Sequence, residues 1–173
     1  MDPRLEALLS RLRATGFSDL RGARADVTLP ISDRLLNELI AAALPASAPV
    51  RDLELTSRAG NRIAVRFKVA AVSFLPPMKV TLVIEGQPEL PASPVLVLKL
   101  EMGSLLSLAG PAARFLSGLP SGIRIVEDRV HVNLATLLAD RGLAELLEYA
   151  EQVRVTTAEG AVVVHVRAAI RGE

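Results

Sequence analysis

Three segments of this chain alternate apolar and polar residues, and every lysine in them falls on the polar side. In the first, Ile63, Val65, Phe67 and Val69 alternate with Arg62, Ala64, Arg66 and Lys68. In the second, Val80, Leu82 and Ile84 alternate with Lys79, Thr81 and Val83; in the third, Leu96, Leu98, Leu100 and Met102 alternate with Val97, Lys99 and Glu101. A period of two marks a strand with one buried face. A slip of one residue would bury Lys68, Lys79 or Lys99, so the pattern fixes which face is dry. The stretch "VRFKVAAVSFLPPMKVTLVIEG" joins the first two segments around Pro76-Pro77 and reads as a long bent hairpin. What lies against its apolar face decides both fold and function.

The flanking segments supply candidates. "DVTLPISDRLLNELIAAALP" reads as a short strand and a helix: Ser32 caps, Asp33 suits the positive end of the dipole, and Leu35, Leu36, Leu39 and Ile40 form the buried stripe. Pro45 ends it. Arg58-Ala59-Gly60-Asn61 is a hairpin turn after a strand carrying Leu53 and Leu55, and "GQPELPASP" belongs on a sheet rim. Residues 104–122 read as a helical stretch interrupted at Gly110-Pro111. A hairpin turning at Glu127-Asp128 follows, then a helical stretch broken at Gly142, then a last hairpin about Glu159-Gly160 that carries Val153, Val155, Val162, Val164 and Val166. Strands and helices do not alternate regularly, which favours an α+β fold over a doubly wound one.

Near the start, Leu5, Leu8, Leu9 and Leu12 have helical spacing between arginines, so residues 1–25 read as an amphipathic helix and connector. Residues 26–173 then read as one domain. The interspersed arginines do not make a signal peptide, and no run has the length of a membrane span, so a cytoplasmic location is expected.

Composition narrows the chemistry. Half the residues are apolar but only 3% are aromatic, so aliphatic side chains fill the interior and ring-stacking sites for sugars or bases are disfavoured. A net charge of +1 gives no global attraction for nucleic acid. With no cysteine there are no disulfides, thiol nucleophiles or thiolate ligands. The two histidines, His131 and His165, lie between valines on the outward side of strands and form no metal-ligand set. "GLPSG" places Pro120 where a nucleophile elbow needs serine, and Ser121 has no base beside it in sequence. Glu127 and Asp128 are adjacent acids at a hairpin tip, and no phosphate-cradling glycine loop occurs. Arg62, Arg66, Lys68, Lys79 and Lys99 form a basic strip diluted by Glu85 and Glu101. A solvated mixed-sign face is the ordinary reading of that strip, and contact with phospholipid headgroups is the other.

The element order of residues 26–170 resembles bacterial members of the tubular lipid-binding superfamily. The segments that carry the likeness are "VTLPISDRLLNELIAAALP", the meander from "VRDLELTSRAGN" through "TLVIEG", and "LPSGIRIVEDRVHVNLATLL" before a final hairpin. The resemblance implies an α+β single domain in which a curved, mainly antiparallel β-sheet wraps one or more α-helices. It also implies acyl chains held between sheet and helix.

The leading expectation is a non-enzymatic binder or carrier of an apolar ligand, a phospholipid or fatty acid. Its lining would be Leu36 and Ile40 from the helix with Val65, Phe67, Val69, Leu82, Ile84, Leu98, Leu100 and Met102 from the strands. Phe74, Leu75 and Met78 would gate the mouth beside the two prolines. A sixteen-carbon tail would gain on the order of 10 kcal/mol gross from burial, at about 0.8 kcal/mol per methylene. The same side chains packed on the helix would make an ordinary filled core. The alternative is then a structural or interaction module that self-associates without a ligand; an enzyme is the third reading. The partners implied are a lipid or other apolar small molecule, a peripheral membrane contact, or a second copy of the chain. Nucleic acid, cofactor and metal are not expected.

Overall fold

The alternating segments pair as their pattern requires. The computed structural model describes residues 10–12, 14–15, 20–44, 48, 50–70, 76–101, 119 and 121–170. Its elements run β1 (Arg24–Ser32), α1 (Asp33–Ala43), β2 (Val50–Arg58), β3 (Arg62–Val69), β4 (Met78–Gly86), β5 (Val95–Leu100), β6 (Ile123–Val126), β7 (Arg129–Asn133), α2 (Leu134–Ala139), α3 (Leu146–Tyr149), β8 (Ala150–Ala158) and β9 (Ala161–Ala169). The strands form two sheets, a six-stranded one in the order β2-β3-β4-β5-β7-β6 and a three-stranded one in the order β1-β9-β8. All their pairings are antiparallel. This is an α+β fold dominated by antiparallel sheet.

Register carries one apolar stripe across the large sheet. Val65 stands opposite Val80, Phe67 opposite Met78 and Ile63 opposite Leu82. Leu82 in turn faces Leu100, Ile84 faces Leu98, and Leu98 faces Val130. In the small sheet Val162, Val164 and Val166 of β9 lie between Ile31, Leu29 and Val27 of β1 and Thr157, Val155 and Val153 of β8. The buried cluster unites the two: Val65, Phe67 and Leu98 of the large sheet join Val153, Val155 and Val162 of the small one. The buried residues that complete this core therefore come from a second sheet, where the sequence pattern had pointed to the helix. α1 lies instead against β2, and Leu36 is its packed residue at the cluster margin.

Local signals explain the boundaries. The Ser32 hydroxyl accepts the Leu35 N–H at 3.3 Å, and the Leu44 N–H bonds Ile40 O at 2.9 Å where α1 ends. Pro45, the expected stop, lies outside the described residues. The turn after β2 uses Gly60 at φ +81° and Asn61 at φ +60°, the left-handed region that such residues tolerate best. Asn133 caps α2 by accepting the Thr136 N–H at 3.2 Å, and Gly142 at φ +68° separates α2 from α3 as its position predicts. Ser10, Arg11, Leu12 and Ala14, within the predicted first helix, are helical. The stretch expected around Gly110-Pro111 lies outside the described residues. Two expectations change. Leu35 and Leu39 of the predicted buried stripe are 46% and 51% exposed. Leu90, in the predicted rim segment, packs against the core.

Candidate functional site

Nine of the predicted lining and gate residues lie in the buried cluster or pack against it, at different depths. Val65, Phe67, Val69, Ile84, Leu98 and Leu100 are buried in the cluster. Leu36, Met78 and Leu82 are half-buried and packed against it, and Ile40 is half-buried on α1. Phe74, Leu75 and Met102 lie outside the described residues, so the proposed gate is represented by Met78 alone. Past the cluster, the apolar side of the small sheet grades outward. Val155 is buried, Val164 is half-buried, and on β1 Val27 and Leu29 are 40% and 48% exposed.

The seam between the sheets is built by side chains that the sequence reading passed over. The Asn37 amide accepts the Leu55 N–H at 2.7 Å and donates to Leu55 O at 2.9 Å. In the same way the Gln87 amide accepts the Val155 N–H at 2.8 Å and donates to Val155 O at 2.7 Å. Each amide thus pairs the free edge of a sheet, β2 in one case and β8 in the other, as a neighbouring strand would. The fully buried Ser57 extends the seam: its N–H donates to the Asp33 carboxylate at 2.9 Å, and its carbonyl accepts the Gly160 N–H at 3.1 Å. Thr157 closes it, donating its hydroxyl to Arg58 O at 2.5 Å and its N–H to Asn61 Oδ1 at 3.3 Å. Asn37 left one trace in sequence, as a polar residue between the apolar Leu36 and Ile40. Gln87 left none beyond its place after a strand.

The outer face of the large sheet carries the charge. Lys68 pairs with Asp52 at 2.8 Å, Arg66 with Glu54 at 2.5 Å and Arg62 with Glu101 at 3.3 Å. Glu85 takes both Lys99 at 3.8 Å and Arg129 at 2.6 Å. The hydrogen bond and charge of Lys68 hold the Asp52 carboxyl below its ordinary value, and the hydrogen bond from Arg129 does the same for Glu85. Glu85 reciprocally raises the Arg129 guanidinium. These are exposed ion pairs, and their shifts mark partnership rather than an acid–base site.

Among the described residues the two histidines and Ser121 lie on separate elements. His165 Nδ1 lies 3.0 Å from the Thr28 hydroxyl, and His131 stands opposite Val97 and Arg124. Ser121, with no base beside it in sequence, donates its hydroxyl to the Asp140 carboxylate, an exposed turn contact. Among the described residues no three acids or histidines gather as a metal site. None of the helices among those residues is long and apolar enough to cross a membrane.

Set against protein-family models, curated proteins and solved structures, the chain matches none.

Proposed function

We propose that the protein is a non-enzymatic carrier of an apolar ligand, a phospholipid or fatty acid, bound along the apolar side shared by its sheets and α1. One observation carries the reading: the apolar face continues past the core into water. It runs from buried Val155 through half-buried Val164 to exposed Leu29 on β1. On α1 it runs from packed Leu36 to exposed Leu35 and Leu39. An acyl chain laid on such a strip exchanges water for aliphatic contact at about 0.8 kcal/mol per methylene. Half-buried Met78 and Leu82 are the margin at which it would enter. In this reading the large sheet curves round helix and ligand, as in the tubular lipid-binding proteins whose element order the chain resembles.

Organic extraction and native mass spectrometry of the purified protein test it. Lipid bound in a fixed ratio to the chain is the expected result, with uptake of a fluorescent fatty acid lost in Leu29→Asp. Clean protein that takes up no fatty acid overturns the reading.

A second reading, self-association without ligand, is favoured by the open edge of β1. Ile170 N–H bonds Ala23 O and Asp33 N–H bonds Gly160 O, which sets the odd-numbered residues of β1 toward β9. By alternation, the backbone groups of Asp26 and Thr28 point away from the sheet. A dimer found without lipid would favour this reading over the first.

A further inference from the structure

The outer face of the large sheet is uneven, and its unevenness has the form of an anion site. On β5 and β7 Lys99 also stands opposite Arg129, but these two cations are matched by two carboxylates: both pair with Glu85, and Arg129 pairs with Asp128 at 2.9 Å as well. On β2, β3 and β4 like charges stand directly opposite each other three times: Arg51 with Lys68, which Asp52 holds, and, bordering one depression, the two pairs Arg58 with Arg62 and Arg66 with Lys79. Like charges in that position destabilise a sheet. Arg58 and Lys79 have no carboxylate partner among the described residues, whereas Arg62 and Arg66 are held by Glu101 and Glu54. Between the two cationic pairs runs a floor of small residues in register, Thr56, Ala64 and Thr81. Together these side chains line a depression of about 500 Å³.

We propose that this depression binds a phosphate ester group. Its walls carry four cations against two carboxylates, an excess of two positive charges. A phosphate monoester carries about −1.5 to −2 at pH 7. Arg62 and Arg66 stand two residues to either side of Ala64, about 6.6 Å each way at ~3.3 Å per residue, within the span of an arginine side chain. The guanidinium fork matches phosphate oxygens in geometry as well as charge. Glu54 and Glu101 orient two of those forks without cancelling the other two cations. The lining holds no aromatic ring on which a base could stack, so the phosphate itself is what is recognised. Two sources share this chemistry, a phospholipid headgroup and a free phosphorylated metabolite. The site lies on the opposite face from the apolar strip and does not depend on the lipid reading.

The test uses the full chain with two probes. Glycerol 3-phosphate is titrated calorimetrically with glycerol as control, and flotation follows vesicles of phosphatidylcholine with or without phosphatidic acid. Saturable binding of glycerol 3-phosphate, one per chain, supports the proposal with a free ester as ligand; binding only to vesicles containing phosphatidic acid supports it with a headgroup. In either arm Arg58→Gln/Lys79→Gln weakens binding by about tenfold or more, while Lys99→Gln stays within about twofold. Binding in neither arm overturns the proposal. So does an equal loss in Lys99→Gln, which would show diffuse charge attraction instead of a site. Thermal melting supplies the separate readout: relief of two like-charge pairs leaves the double variant at least as stable as the parent. A clear fall in its melting temperature would also overturn the proposal, because it would show both cations engaged in the fold.

Discussion

The strands at the edges of the two sheets divide into closed and open. At β2 and β8 an amide side chain occupies the place of a neighbouring strand, Asn37 on Leu55 and Gln87 on Val155. At β1, nine residues long, no such group among the described residues meets the outward Asp26 and Thr28 backbone, and Val27 and Leu29 are exposed. What protects β1 is Pro30, which falls at an outward position and has no N–H to offer a second chain. The closed edges are those that turn toward the seam between the sheets, where water is scarce and an unmet amide is costly. Of the two edges without such an amide, β6 is only four residues long, and the long one, β1, lies beside the apolar strip. The molecule thus seals its interior with side chains and leaves the outer edge of one long strand unpaired among the described residues.

Four experiments bear on this contrast. The largest effect comes from placing arginine on each kind of strand. Val155→Arg, at a position 7% exposed, buries an unpaired charge and costs more than about 4 kcal/mol or unfolds the domain. Leu29→Arg, at 48% exposure, stays within about 0.5 kcal/mol in a denaturant titration. Equal losses would mean that β1 is not an open edge. Next are the amides themselves. Asn37→Leu and Gln87→Leu each leave a partly buried N–H and C=O unmet, at about 2 kcal/mol apiece, with faster hydrogen exchange at Leu55 or Val155. Costs below about 0.5 kcal/mol would reduce the seam to a surface contact. A smaller effect is read as oligomeric state. Pro30→Val returns an outward N–H to β1 and shifts the chain toward dimer in light scattering, with monomer stability changed by less than about 1 kcal/mol. An unshifted monomer would rule out β1 as a pairing edge.

The smallest effect is pH. Asp52 and Glu85 have folded values below their ordinary 3.8 and 4.5. Their contribution is therefore full above those ordinary values and is lost as pH falls through the lowered ones. Stability drops slightly on acidification below about pH 4, while the seam amides, which do not titrate in this range, keep their exchange protection. Loss of protection at Leu55 or Val155 in the same window would tie the seam to the outer ion pairs.

Much of this architecture was legible from alternation. The strand registers of β3, β4 and β5, the turns at Gly60, Glu127 and Gly160, and the Ser32 cap follow from short-range patterns that burial and backbone sterics enforce locally. The second sheet was not legible. Its hairpin could be read from Val153 through Val166, but that it shares a core with Phe67 depends on packing between residues far apart in sequence. Helical periodicity also failed to tell the stripe of Leu36 from that of Leu35 and Leu39, because an apolar residue looks the same whether or not something covers it. The seam was silent for another reason. Asn37 and Gln87 are ordinary polar residues until the chain brings a strand edge to them. The basic strip was visible as composition, but its division into matched and unmatched halves needed the register that sets Arg58 opposite Arg62.

The pairing of β1 with β9 has a kinetic consequence. Thr28 and His165 meet across 137 positions of chain, so the small sheet closes only after nearly every other described element has been made. Contacts of such separation slow folding, because the loop must close before it is rewarded. The large sheet, whose strands β2 to β5 pair with their immediate neighbours, can form first with its apolar face still bare. The last hairpin then arrives as the closure that covers it.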